Sequence, residues 1–177
     1  MEETATLGGG CYWCLEALYQ RIEGVSKVVS GYSGGHTESP TARQVYGGAT
    51  GHAEVVQVEF DPDEITYREI LEIFFVMHDP TMLNRQGHDI GDEYRSVIFY
   101  HSDEQRTVAE DMKANFAANL WPDTIVTQIV PLEKFWPASD DEQDFYNRNP
   151  GSGYCLVVID PKIAKLRQQF AKRFKEG

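Results

Sequence analysis

Residues 8 to 14 read GGGCYWC and lead straight into a helical pattern. Leu15, Leu18, Tyr19 and Ile22 recur at i, i+3, i+4 and i+7, the spacing of one helix face, and Gly24 marks its end. Residues 4 to 7 form a short strand ahead of the glycines, so the segment predicts strand, tight turn and helix in succession. Cys11 falls at or just before the first helical turn, where free backbone N–H groups and the helix dipole favour an anion. A thiol so placed ionises more readily and becomes a nucleophile. Glycines without Cβ atoms let a substrate approach the backbone closely. Taken alone, the same residues also describe an ordinary strand-to-helix turn with a packed cysteine, since free Cys is a small buried hydrophobe in many folds.

Beyond the first helix, strands and helices mix. Val25 to Tyr32 predicts a strand, residues 41 to 51 a glycine-bearing loop with at most one helical turn, and Ala53 to Phe60 the next strand. In that strand, alternation puts Glu54 on one face with Val56, Val58 and Phe60. A carboxyl group among apolar neighbours has its pKa raised and can act as an acid near neutral pH; at a strand end it can equally be solvated. Thr66 to Glu69 is a capping box opening a helix through Met77, and Ser102 to Gln105 a second, opening a helix that ends near Asn119. Between them lies a polar loop, Thr81 to Tyr94, holding His88, Asp89 and Tyr94, with a strand from Arg95 to Tyr100 after it. Thr124 to Val130 predicts a strand, Ser139 to Glu142 the cap of a short helix through Tyr146, and Tyr154 to Ile159 an extended run carrying Cys155. Asp160-Pro161 opens the last helix, with Ile163, Leu166, Phe170 and Phe174 on one side. The pattern predicts an α+β fold, a two-layer α/β sandwich with helices against a mixed sheet, in one domain over residues 1–177.

Charge narrows the function. The chain carries a net charge of −12, although six Lys/Arg against one Glu stand from Lys162 onward. The acidic body repels nucleic acid, and no basic stripe interleaved with aromatics offsets it. No run approaches a membrane span, and the N-terminus lacks an apolar signal segment, so the expected location is the cytoplasm. Three cysteines, Cys11, Cys14 and Cys155, suit reactive use better than a disulfide framework.

GGGCYWC, GYSGG at Gly31, TGHAEV at Thr50, HDPT at His78, NRQGHDIGDEYRS at Asn84 and NPGSGYC at Asn149 stand in one order. In order and spacing they resemble the motifs of the peptide methionine sulfoxide reductase A family over nearly the whole chain. The resemblance implies a ferredoxin-like core and reduction of the S epimer of methionine sulfoxide, free or in proteins. It implies Cys11 as nucleophile, Glu54 as general acid and Cys155 as resolving cysteine. Asp89 and Tyr94 are implied as polar partners in the sulfoxide pocket, with Tyr12 and Trp13 as the wall for the substrate methyl group. It implies no metal and no bound cofactor. Thiolate attack leaves a sulfenic acid, a second thiol condenses with it to a disulfide, and an external dithiol such as thioredoxin restores the enzyme.

The chain departs from the family at several places, among them a C-terminal helix where some relatives carry a glycine-rich tail with a further cysteine. Cys14 stands where many members have a small residue; three residues from Cys11, it can resolve the sulfenic acid, compete with Cys155 or relay the disulfide. Ala42 occupies a position usually held by tyrosine, and Tyr46, four residues on, can bring a hydroxyl to the same side of a helical turn. Glu142 replaces a histidine often seen before Gln143. Two rival readings compete: a thioredoxin-like disulfide oxidoreductase using CYWC, and a zinc module built from the three cysteines and a histidine, which lacks a second closely spaced ligand pair.

Overall fold

The computed structural model describes residues 1–175. Its sheet contains β1 (Glu3–Gly8), β2 (Val25–Ser33), β3 (Ala53–Phe60), β6 (Val97–Tyr100), β7 (Gln128–Pro131) and β8 (Phe135–Pro137), in the order β7-β6-β1-β3-β2-β8. Every pairing is antiparallel except β6 with β7. The central strands run β6-β1-β3-β2 and connect through helices α1 (Tyr12–Tyr19) and α3 (Tyr67–Met77). That is the split βαββαβ arrangement of a ferredoxin-like core, as the resemblance implies.

Register decides which side chains face the helices. Leu7 lies opposite Val56 and Ile98, and Ala5 opposite Val58. These residues join α1 and α3 in the main core, all of them buried. On the other face a smaller cluster gathers Ala53, Val55, Val97 and Phe99 under Val130, Leu132 and Phe135. Because both faces are covered, β3 is buried on its Val55 side as well.

Helix α1 is shorter than its periodicity predicts and is not amphipathic: every residue except Trp13 is buried. Ile22, beyond its end, is also buried, and Gly24 turns the chain with φ +93°. The Thr66 box forms in full, with Glu69 N bonded to Thr66 Oγ1 at 3.1 Å and Glu69 Oε1 accepting from Thr66 N at 3.0 Å. Ser102 caps α4 (Asp103–Asp111), but Gln105 does not reach back to it and instead accepts from His101 N at 2.9 Å. A π turn at Met112–Ala117 joins α4 to α5 (Ala118–Leu120). Loop 41–51 forms α2 (Ala42–Tyr46), capped by Thr41 and Gln44. Loop 81–94 folds into a small hairpin, β4 (Arg85–Gln86) and β5 (Asp89–Ile90), then a 3-10 turn at Asp92–Tyr94.

The C-terminal third departs furthest from its pattern. Residues 124 to 127 precede β7 instead of forming its first half, and β8 was not foreseen. Asp144, not the Ser139 turn, leads into α6 (Phe145–Arg148). The run from Cys155 is helical, not extended: a π turn at Cys155–Ile159 continues into α7 (Asp160–Gln169). A short run of Leu, Val and Ile does not by itself separate strand from helix. Cys155 and Ile159 point inward while Leu156 and Val157 face solvent, a repeat of four that packing makes helical. Phe174 lies past α7 and bridges to Ile22. Among the described residues, no helix is long and apolar enough to cross a membrane.

Candidate active site

Strand β1 breaks off at Gly8, one residue after Leu7 pairs with Val56. The chain therefore passes over the start of β3, where Glu54 sits opposite Tyr32. Glu54 is 0 % exposed, and its Oε1 accepts from Tyr12 N at 3.0 Å. The carboxyl group thus takes the first free N–H of α1, a place that spacing offers to the Cys11 thiol. Its other oxygen, Oε2, is buried and has no hydrogen-bond partner among the described residues. Burial pushes the Glu54 pKa up to about 8; the Tyr12 amide lowers it, and the charges of Glu142, Glu93 and Asp89 raise it. The acid expected from strand alternation is therefore protonated at neutral pH.

The glycines ahead of Cys11 are required by the protein's own packing. A Cβ on Gly9 would lie 2.9 Å from the His78 ring, and Gly10 combines φ +94° with Gln86 Cβ at 2.9 Å. His78 is buried, held by Phe74 O and by Ser96 Oγ at 2.8 Å, and burial lowers its pKa to about 4. A neutral imidazole is thus the floor under the cysteine loop. Gln86 binds Asp79 N and O at 2.9 Å, and Gly10 N donates to Tyr94 O at 3.2 Å, so the 81–94 loop is tied over the same turn.

Four tyrosines, Tyr12, Tyr32, Tyr46 and Tyr94, lie within the field of Glu54. Tyr12 and Tyr32 share a hydrogen bond of 2.7 Å. Burial first, and then the Glu54 charge, raise the pKa of both Tyr46 and Tyr94; the Cys11 charge contributes to each. Tyr46 is 47 % exposed, yet it shares with Tyr94 the field of Glu54 and Cys11. It comes from the last position of α2, one turn after Ala42, as the helical-turn expectation requires.

Cys11 is 8 % exposed and caps α1 with extended backbone. Its thiol differs from expectation: burial pushes its pKa well up, and the Cys14 thiol and Glu54 add to this. Cys14 moves the other way, to about 7, chiefly through its interaction with Cys11. The two buried thiols titrate as one pair that loses its first proton near neutrality and shares the one that remains. Cys14 Sγ also lies 3.4 Å from Tyr154 Oη, which donates to Asp89 Oδ2 at 2.7 Å. Cys155 is 0 % exposed, in the turn beside Tyr154, with its N–H on Ser152 Oγ at 3.3 Å. Its backbone turn packs against α1, but the groups that act on the other two thiols are Cys14, Glu54 and the Trp13 amide at Cys11, and Cys11, Lys162, Tyr154 and Asp89 at Cys14.

Trp13 is the half-buried edge of α1. Its ring stacks on Phe145 with centroids 3.6 Å apart and meets Tyr154 edge-on at 5.7 Å, and Nε1 donates to Glu142 Oε2 at 2.9 Å. Sequence reading assigned no role to Tyr32, His78, Phe145 or Tyr154 as site neighbours, although Tyr32, His78 and Tyr154 lie within the motifs GYSGG, HDPT and NPGSGYC. Among the described residues, no group of three or more His, Cys, Asp or Glu side chains is arranged to hold a metal ion.

Residues 3–174 match the family model for peptide methionine sulfoxide reductase. A peptide methionine sulfoxide reductase MsrA of Ralstonia nicotianae is 54% identical over 178 aligned residues, covering 98% of this chain and 93% of that protein. The structure is similar to methionine sulfoxide reductase A of Corynebacterium diphtheriae, with TM-score 0.77 and 34% identity over 85% of this chain and 76% of that one. It also resembles Mxr1 of Saccharomyces cerevisiae in complex with Trx2, with TM-score 0.52 and 28% identity over 81% of this chain and 84% of that one.

Proposed function

The chain belongs to the peptide methionine sulfoxide reductase family of oxidoreductases, and from that premise we propose that it reduces the S epimer of methionine sulfoxide through a Cys11 sulfenic acid. The observation that carries this reading is the free, buried Oε2 of Glu54 at the Cys11 turn. A sulfoxide sulfur accepts a thiolate only if its oxygen takes a proton or strong hydrogen bonds as charge develops there. Protonated Glu54 has the proton to give, and the hydroxyls of Tyr94 and Tyr46 stand in the same field. Tyr12 and Trp13 wall the methyl group, and Asp89, held by Tyr154, completes the polar side.

In the first step the singly deprotonated pair supplies the Cys11 thiolate while Cys14 keeps the shared proton; Cys11 Sγ attacks the sulfoxide sulfur and Glu54 protonates the oxygen. The oxygen then passes to Cys11 as sulfenic acid, and methionine leaves. Cys14, now a thiol beside it, displaces water to form the Cys11–Cys14 disulfide. Exchange with Cys155 relays the bond, and an external dithiol takes over the oxidation, leaving all three cysteines reduced. The Mxr1–Trx2 complex supports a thioredoxin-like protein as that dithiol. Free cysteines suit a reducing compartment, so we place the enzyme in the cytoplasm. The residues around Cys11 also favour this reading over a general disulfide oxidoreductase using CYWC, which has no use for a buried acid at the nucleophile.

The test is a thiol count and disulfide map after one turnover with each sulfoxide epimer, in wild type, Cys14→Ser and Cys155→Ser. The expected products are methionine from the S epimer alone, a Cys11–Cys14 bond in Cys155→Ser, and a slower Cys11–Cys155 bond in Cys14→Ser. Strong insulin disulfide reduction without sulfoxide turnover would reverse the assignment.

A further inference from the structure

Segment 138–148 is irregular until α6, yet it is fixed on both sides of Glu142. Gln143 binds the backbone of β2 with its side-chain amide: Oε1 accepts from Ser30 N at 2.9 Å, and Nε2 donates to Ser30 O at 2.8 Å and Ala138 O at 3.1 Å. Asp144 N donates to both oxygens of the buried Glu16 carboxylate at 3.0 Å, with Asp144 at φ 55°. A non-glycine residue in that left-handed region stays there only where its surroundings over-determine it. On the other side, Glu142 N donates to Ser139 O at 3.0 Å. Between these anchors the Glu142 side chain accepts a hydrogen bond from Trp13 Nε1 at 2.9 Å, its one such bond among the described residues.

We infer that Glu142 is a positioning residue: through Trp13 Nε1 it fixes the indole that walls the methyl pocket, and so sets the preference for methyl over larger sulfoxides. The inference rests on the reading of Trp13 as that wall. Stacking on Phe145 with an interplanar angle of 5° fixes the plane of the indole but not its rotation within the plane. A hydrogen bond from Nε1 to a charged acceptor removes that freedom. Glu142 is also the first of the charges that favour the protonated form of Glu54, so the acceptor that holds the apolar wall also acts electrostatically on the acid.

The test compares kcat/KM for methionine sulfoxide and ethionine sulfoxide in the parent, Glu142→Gln, Glu142→Leu and Glu142→Ala. The added methylene is selected against by a fitted apolar wall, which is worth about tenfold or more. Glu142→Leu and Glu142→Ala should each lose roughly tenfold of the methyl preference. Glu142→Gln, whose amide oxygen still accepts from Nε1, should keep it. In a Trp13→Phe background, which has no donor, Glu142→Leu should change nothing further. An unchanged preference in Glu142→Leu and Glu142→Ala overturns the inference, and so does a loss in Glu142→Gln as large as in Glu142→Leu. A structural role would lower thermal stability without moving the preference. A parent inactive on both sulfoxides overturns the reductase reading itself, and this inference with it.

Discussion

Two ionisations bound the pH range in which the site can work, and both follow from burial. Attack requires Glu54 protonated, which holds below its pKa of about 8. It also requires the Cys11–Cys14 pair to have lost one proton, which begins near 7. The single-turnover rate should therefore be bell-shaped, with about 60 % of the enzyme productive at pH ~7.5 and about 3 % at pH ~5.5 or ~9.5. Glu54→Gln should remove the alkaline limb and lower the plateau by about 10²- to 10⁴-fold, the usual worth of a positioned acid. Cys14→Ser should move the acid limb upward, because Cys11 alone is a buried thiol with a raised pKa. Stability provides an independent reading of the same acid. With a folded pKa of about 8 against an ordinary 4.5, Glu54 binds more protons folded than unfolded, so its stability contribution falls as pH rises between those values. At about 1.4 kcal/mol per unit the cost above pH ~8 is at most about 5 kcal/mol. Glu54→Gln should thus melt higher than the parent at pH ~9 and at the same temperature near pH ~4. Rapid-quench measurement of methionine release and thermal melts across pH check both. An alkaline limb that persists near pH 8 in Glu54→Gln would refute the assignment of the proton to Glu54.

Tyr46→Phe should slow single-turnover methionine release about tenfold, the order expected for one lost hydroxyl contact in the transition state; an unchanged rate would remove Tyr46 from the site. Tyr154→Phe deletes a hydrogen bond that favours the Cys14 thiolate, so the acid limb should move upward, read as thiolate absorbance against pH. Gly9→Ala forces a Cβ to 2.9 Å from the His78 ring. It should lower stability by about 1–3 kcal/mol in denaturant unfolding, the range for overpacking.

The stretch that opens the chain was legible because its signals are local. Strand, glycine turn and helix follow from residues within about one turn of each other, and the Thr66 box closed as its spacing required. Glu54 was legible too, since alternation along β3 fixes its face whatever the partner strands do. The run from Cys155 was misread because four apolar residues fit strand and helix alike, and contact with α1 chose the helix.

Sequence by itself determined the order of the core elements, the placement of Cys11 at a helix start and the face of β3 on which Glu54 stands. Each depends on periodicity or spacing within a single segment. Only the tertiary structure decided which group receives the first N–H of α1, and the answer is Glu54 rather than a thiolate. It also decided that Cys14 faces both Cys11 and Tyr154, and that Glu142 reaches Trp13 from 129 residues away. Such contacts join segments far apart in the chain, and their energy depends on burial and on fields from several elements at once. No local pattern carries that information.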